Sequence, residues 1–309
     1  MKIIVFGSGG VGGYFGGRLA QSGRDVTFIA RGAHLKAMRD SGLRVDSIGG
    51  DFTVQPVQAV EDTTEIGKVD LVILATKAWQ LEAAIPQIQP LVDERTVILP
   101  LLNGMEHMDE LLAAFQRGNV LGGLCRISVF IEAPGYIRHV GVQPYIAFGE
   151  LDNSKSQRVT DIHKMFSSLD GILVEVPTDI HVTMWEKFVF ISGTSGVGAY
   201  THQPIGAYRN DPEVRRMLID AMNETVAVAR ARRVPLSESL VEDTMRRIDN
   251  LPYDMLASMQ KAIMEGRPSE LNEQTGAVIR LGKAVGVPTP THQKLLEALL
   301  PLEQKARSR

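Results

Sequence analysis

The chain has 309 residues, which at roughly 150 per domain corresponds to about two domains. Hydrophobic residues make up 44% and charged residues 22%, a balance that excludes the disordered, fibrous and low-complexity classes. With 33 Lys and Arg against 36 Asp and Glu the formal charge is -3, so no basic field exists to hold a phosphodiester backbone, and nucleic acid is excluded as a partner.

Met1-Lys2 leads into Ile3-Ile4-Val5-Phe6, too short an apolar run for a signal peptide. No later segment reaches the ~18 uninterrupted apolar residues that span a bilayer, so no membrane partner is expected. Ile3 to Phe6 predicts a buried parallel strand that turns through Gly7-Ser8-Gly9-Gly10-Val11-Gly12 into a helix. That segment is a G-x-G-x-x-G. Gly7 permits the tight turn, Gly9 lets a pyrophosphate approach the backbone, and Gly12 lets helix and strand pack closely, with the phosphates at the helix N-terminus. A glycine-rich turn of any α/β protein is the plainer alternative. The helix stops at Ser22-Gly23, and Asp25 to Ala30 reads as a second strand, completing a βαβ unit. An NAD site places Asp or Glu after this strand; here stands Arg31, whose guanidinium pairs with a 2′-phosphate and favours NADPH/NADP+, unless it is only a solvated charge.

Val69 to Ala75 is a further strand followed by Thr76-Lys77, and Thr96 to Leu99 another that leads to Leu102-Asn103-Gly104. Ligands of an open α/β sheet bind beyond the carboxyl ends of its strands, which places Lys77 and Asn103 beside a nicotinamide or substrate. A helix-start lysine and an Asn-Gly turn are the structural alternatives. Cys125, the single cysteine, rules out an intrachain disulfide and fits a reducing compartment, so a cytoplasmic protein is expected. From Gly122 to Gly149 short strands with a turn at Pro134-Gly135 suggest antiparallel additions to the sheet. The seven histidines show no metal-ligand spacing, and no metal is expected.

After about residue 178 the periodicity is helical, with breaks near Gly193 to Pro204, Asn250 to Pro252, Gly266 to Pro268 and Gly286 to Pro290. The expected domains are therefore 1–177 and 178–309. Thr183 to Phe190 opens an apolar helix with Lys187 in its middle, a residue type seldom buried without a task but able to snorkel to water. Ser269 is placed to cap a helix whose first turn holds Glu270 and Glu273, where acidic residues suit the dipole with or without catalysis.

Gly7-x-Gly9-x-x-Gly12, Arg31-Gly32, Thr76-Lys77 with Gln80, Leu102-Asn103-Gly104-Met105, Trp185-x-Lys187, Ser258-Met259, Glu270 and Gly286-Val287-Pro288-Thr289-Pro290 together resemble the ketopantoate reductase (2-dehydropantoate 2-reductase) family over nearly the whole chain. The resemblance implies an α/β fold, with an N-terminal Rossmann-type dinucleotide-binding domain followed by an all-helical C-terminal domain. It also implies hydride transfer from NADPH to the C2 carbonyl of a small 2-oxo acid, ketopantoate giving pantoate for pantothenate and coenzyme A biosynthesis. Lys187 matches the family's general acid. Its ordinary pKa near ~10.4 would be lowered by apolar neighbours, for which Trp185 and Phe188 are the candidates. By the same resemblance Glu270 holds the substrate hydroxyl, Ser258 its carboxylate, and Asn103 orients it against the nicotinamide. Arg31 and Lys77 contact the cofactor together with Gly7, Ser8, Gly9, Gly10, Val11 and Gly12, and Asn103 and Glu270 border it.

On the substrate side the chain departs from the family pattern. Asparagines four and eight residues after the lysine are replaced by Ile191 and Ser195, leaving Ser195 as the polar substrate contact there, and an aspartate four residues after the Ser-Met serine is Ala262. A lost amide partner costs about 1–3 kcal/mol in a buried site. Three readings follow: a ketopantoate reductase, the same chemistry on a less polar 2-oxo acid, and a non-catalytic NADPH-binding sensor. A homodimer joined through the helical domain is also expected.

Overall fold

The computed structural model describes residues 1–308, and within it the chain divides into two compact units, each with its own core. The first comprises 1–102 and 107–180, the second 103–106 and the residues from 181 onward.

The first unit runs β1 (Lys2–Phe6), α1 (Gly10–Gln21), β2 (Asp25–Ile29), α2 (Gly32–Ser41), β3 (Leu43–Ser47), β4 (Phe52–Val54), β5 (Gln58–Val60), β6 (Leu71–Leu74), α3 (Leu81–Ile88), β7 (Val97–Pro100), α4 (Glu106–Ala114), β8 (Leu121–Ala133), β9 (Tyr136–Glu150), α5 (Gln157–Ser167) and β10 (Leu173–Glu175). Among the described residues β5-β2-β1-β6-β7 form one wholly parallel sheet, with Ile3 opposite Val26 on one side and Leu71 on the other. Its central strands are continuous apolar runs buried on both faces, where alternation would bury polar groups. All three carboxyl ends that matter, those of β1, β2 and β6, therefore point to one edge of the sheet.

The hairpin β8–β9 turns at Pro134-Gly135 as expected from the sequence, but its strands are 13 and 15 residues long and do not extend the parallel sheet. They belong to a second sheet, in which β9 pairs antiparallel with β8 and, in parallel, with β10 and with β3. The sequence gives no hint that Arg44 pairs with Tyr136, since that register joins segments about 90 residues apart. Phe15, Leu19, Phe28, Ile137, Phe148 and Phe166 fill the core between the sheets and their helices.

The second unit contains α6 (Ile180–Thr201), α7 (Ile205–Tyr208), α8 (Pro212–Ala231), α9 (Leu240–Asp249), α10 (Ser258–Met264), a π-turn at Asn272–Gly276, α11 (Ala277–Val285) and α12 (Pro290–Arg307). Here the sequence expectation needs a correction, because α6 does not break at Gly193 but runs on to Thr201. Its glycines make room instead of ending the helix. A Cβ on Gly193 would lie 2.8 Å from Met222 of α8, and one on Gly198 would lie 2.5 Å from the Gln260 amide of α10. Close helix packing outweighs the cost of roughly 1 kcal/mol for glycine in a helix. No helix among the described residues is long and apolar enough to cross a membrane.

Candidate active site

In the first unit the glycine turn has the geometry its spacing demands. Gly7 has φ +99°, and a Cβ there would sit 2.7 Å from the Thr76 nitrogen beyond β6. A Cβ on Gly12 would meet the Gly7 carbonyl at 2.1 Å and Val5 at 2.9 Å, so α1 can approach β1 only as glycine. Gly9 is different, since its Cβ would meet no atom within 4 Å among the described residues. The one open glycine is thus the one a pyrophosphate needs, and it lies immediately before the first helical residue, where free N–H groups gather. The turn fits a dinucleotide. Ser8 is buried beside it, Val11 is half-buried, and the backbone of Val129 closes over Gly10.

Arg31 is exposed at the end of β2, where its guanidinium donates to Gln87 Oε1 at 3.1 Å. Lys77 is exposed after β6, with its ammonium 5.9 Å from the Trp79 ring centre. One residue of this face escaped the sequence reading. His34, three residues after Arg31, accepts from the Gly135 N–H through Nδ1 at 3.1 Å, which assigns the ring proton to Nε2 for donation to the Ser8 carbonyl at 3.0 Å. Burial, only partly opposed by the Ser8 bond, lowers the His34 pKa and keeps the ring in this neutral form. An isolated histidine in a helix gave no signal of that tie.

In the second unit three of the expected residues meet. Lys187 Nζ donates to Asn103 Oδ1 at 2.9 Å, and Asn103 Nδ2 donates to Glu270 Oε2 at 3.0 Å. An ammonium offers only donors and a carboxylate only acceptors, so the two partners fix which way the Asn103 amide faces. Gly104 makes the approach possible. With φ +91° and a would-be Cβ 2.5 Å from the Glu273 carbonyl, it lets residues 103–106 lie directly on the π-turn. Arg280 reinforces the contact by pairing with both oxygens of Glu106, at 2.8 and 2.6 Å, while also donating to Asn272.

The lysine's surroundings differ from the expectation. Trp185 and Phe188 are buried against each other, ring centres 5.6 Å apart, and at i−2 and i+1 they point away from the face of α6 that carries Lys187. That face continues through half-buried Ile191 to buried Ser195, so the row expected from the sequence is real. Ser258 stands exposed at the first position of α10, outside the Lys187–Asn103–Glu270 set. The Ser269 hydroxyl accepts from the Leu271 N–H at 3.2 Å, as a cap does, but the helical segment it opens passes at once into a π-turn at Asn272–Gly276; such turns recur at functional sites.

Glu273 of that turn is half-buried, and its Oε2 has no partner among the described residues. Burial raises its carboxyl pKa above the ordinary value. A carboxyl raised on folding contributes most below its unfolded pKa, and that contribution is lost as pH rises through the folded value. Glu273→Gln, neutral at every pH, is therefore expected to melt a few degrees above the parent at about pH 8 and level with it near pH 4. A melting difference independent of pH would show that the carboxyl charge is not its source.

The descriptions matched by the two parts of the chain are ketopantoate reductase PanE/ApbA over residues 3–153 and the C-terminal domain of the same family over 179–303. The uncharacterized oxidoreductase YkpB of Bacillus subtilis is 32% identical over 94% of this chain and 95% of its own. The 2-dehydropantoate 2-reductase of Mesorhizobium japonicum is 31% identical over 96% of each chain. Among solved structures, D-mandelate dehydrogenase with NADH and anilino(oxo)acetate superposes with a TM-score of 0.89 at 26% identity, covering 99% of this chain and 100% of that one. Sequence, fold and the glycine turn agree, and the chain belongs to the ketopantoate reductase family of NAD(P)H-dependent oxidoreductases.

Proposed function

We propose that this protein reduces a branched 2-oxo acid to the 2-hydroxy acid with NADPH, with ketopantoate as the first substrate, acting in the cytoplasm as a homodimer. The observation that carries the reading is the hydrogen-bonded series Lys187, Asn103, Glu270, which sets a proton donor and a hydroxyl acceptor on either side of one amide. NADPH, when bound, supplies the hydride to C2. Lys187 Nζ gives its proton to the oxygen that becomes the alkoxide, and its positive charge stabilises that oxygen as negative charge develops. The bond to Asn103 restrains the lysine, so its long side chain starts near the productive position. Glu270 accepts from a substrate hydroxyl, and Ser258 and Ser195 take the carboxylate and the remaining polar end. The resulting lysine amine regains its proton from solvent.

A second reading keeps the chemistry and replaces the substrate by a less polar 2-oxo acid. Ile191, half-buried one turn beyond Lys187, favours it, as does the likeness to a dehydrogenase solved with an aromatic oxo acid amide. A panel of ketopantoate, 2-oxoisovalerate, 2-oxoisocaproate and phenylglyoxylate, followed by NADPH absorbance, separates the two. Turnover led by ketopantoate supports the first reading, and turnover only of the others the second. NADPH binding without turnover of any would defeat both.

Arg31 carries the choice of cofactor. Arg31→Ala is expected to weaken NADPH binding roughly 10- to 150-fold, the loss of a charge-assisted bond to the 2′-phosphate, while NADH binding stays nearly unchanged. Equal losses for both cofactors in a fluorescence titration would reject that contact.

A further inference from the structure

Next to Glu270 along the chain, Ser269 is held by a buried carboxylate and the exposed arginine paired with it, neither of which the reaction itself uses. Glu303, near the end of α12, is 4% exposed, and its carboxylate accepts from the Ser269 N–H at 3.1 Å to each oxygen, from the Ser269 hydroxyl at 2.5 Å and from Arg307 Nε at 2.6 Å. Arg307 in turn donates to the Ser269 carbonyl at 3.0 Å, and the Leu271 N–H donates to Ser269 Oγ. The N–H, the carbonyl and the hydroxyl of this one residue are therefore all engaged, all three by a helix that follows it by more than thirty positions.

The chemistry of the cluster argues against stability as its purpose. Taking the Glu303 carboxylate out of water is costly, and its pairing with an exposed arginine returns little of that cost. Geometry is what such a pair adds. The Ser269 carbonyl and the Glu270 N–H share one peptide plane, so fixing that carbonyl fixes the plane from which the Glu270 side chain departs. Two residues later the π-turn begins at Asn272, a departure from the regular helical ladder.

We propose that Glu303 and Arg307 are positioning residues that hold the Ser269–Glu270 peptide so that the Glu270 carboxylate stays on Asn103. The inference rests on the reading of Glu270 as a substrate-binding group. A double-mutant cycle on the full chain tests it, using kcat/KM for the panel acid turned over fastest, NADPH affinity and melting temperature. Glu303→Gln keeps the shape but turns acceptor oxygen into a donor facing the Ser269 N–H and Arg307. It is expected to lower kcat/KM on the order of 10-fold or more with NADPH affinity unchanged. In a Glu270→Gln background the same change should cost less than about 2-fold, because there is no carboxylate left to position.

Losses that multiply in the double variant would overturn the inference and leave the role of Glu270 standing. Full activity in Glu270→Gln alone would overturn that role and the inference with it. Should Glu303→Gln fail to fold, Arg307→Lys, which retains the charge but forfeits the second bond to Ser269, enters the same cycle under the same two criteria.

Discussion

Lys187→Ala is expected to lower kcat roughly 100- to 10,000-fold, the usual contribution of a positioned general acid, while NADPH affinity stays within about 2-fold. Lys187 is held at 2.9 Å by an amide whose other end is taken by Glu270, so its proton is presented from a restrained position. Lys187→Arg sharpens the test. Arginine keeps the positive charge and can still donate to Asn103, but its guanidinium does not give up a proton in proteins. If proton transfer is the lysine's main task, the arginine variant retains substrate binding yet stays slow. If charge alone sufficed, it would recover most of the rate. Activity of the alanine variant within about 10-fold of the parent would remove Lys187 from the mechanism.

The glycine turn predicts two opposite outcomes from the same substitution. Gly12→Ala puts a methyl group 2.1 Å from the Gly7 carbonyl and 2.9 Å from Val5, and the first of these is backbone that cannot rotate away. Overpacking of this kind costs about 1–3 kcal/mol or more, so the variant should melt several degrees lower and bind NADPH poorly because the turn itself is displaced. Gly9→Ala adds the same atom where nothing lies within 4 Å among the described residues, at φ −64°, a value any residue adopts. It should melt as the parent does and yet lose most NADPH affinity, because the methyl group fills the approach that a pyrophosphate requires. Melting curves and NADPH titrations of the pair decide the matter. Normal binding by Gly9→Ala would place the phosphates elsewhere.

What the sequence determined by itself was local. A β-branched run, a glycine spacing and helical periodicity specify a strand, a tight turn and a helix through contacts between near neighbours. β1, α1 and the row Lys187, Ile191, Ser195 could be read for that reason. Short-range signals misled where a distant partner altered their meaning, as when the glycines of α6 proved to be seats for Met222 and Gln260 instead of breaks.

Only the tertiary structure decided which separated residues meet. Asn103 is 84 residues from Lys187 and 167 from Glu270, and the Asn-Gly dipeptide is as compatible with a surface turn as with a site. The choice was made by Gly104 fitting against the Glu273 carbonyl and by Arg280 grasping Glu106, contacts that no periodicity encodes. His34 on Ser8 and Glu303 on Ser269 are of the same kind. Each is a polar side chain whose partner is a backbone group far along the chain, and such a bond forms only after apolar packing has met the entropy of closing the loop between them.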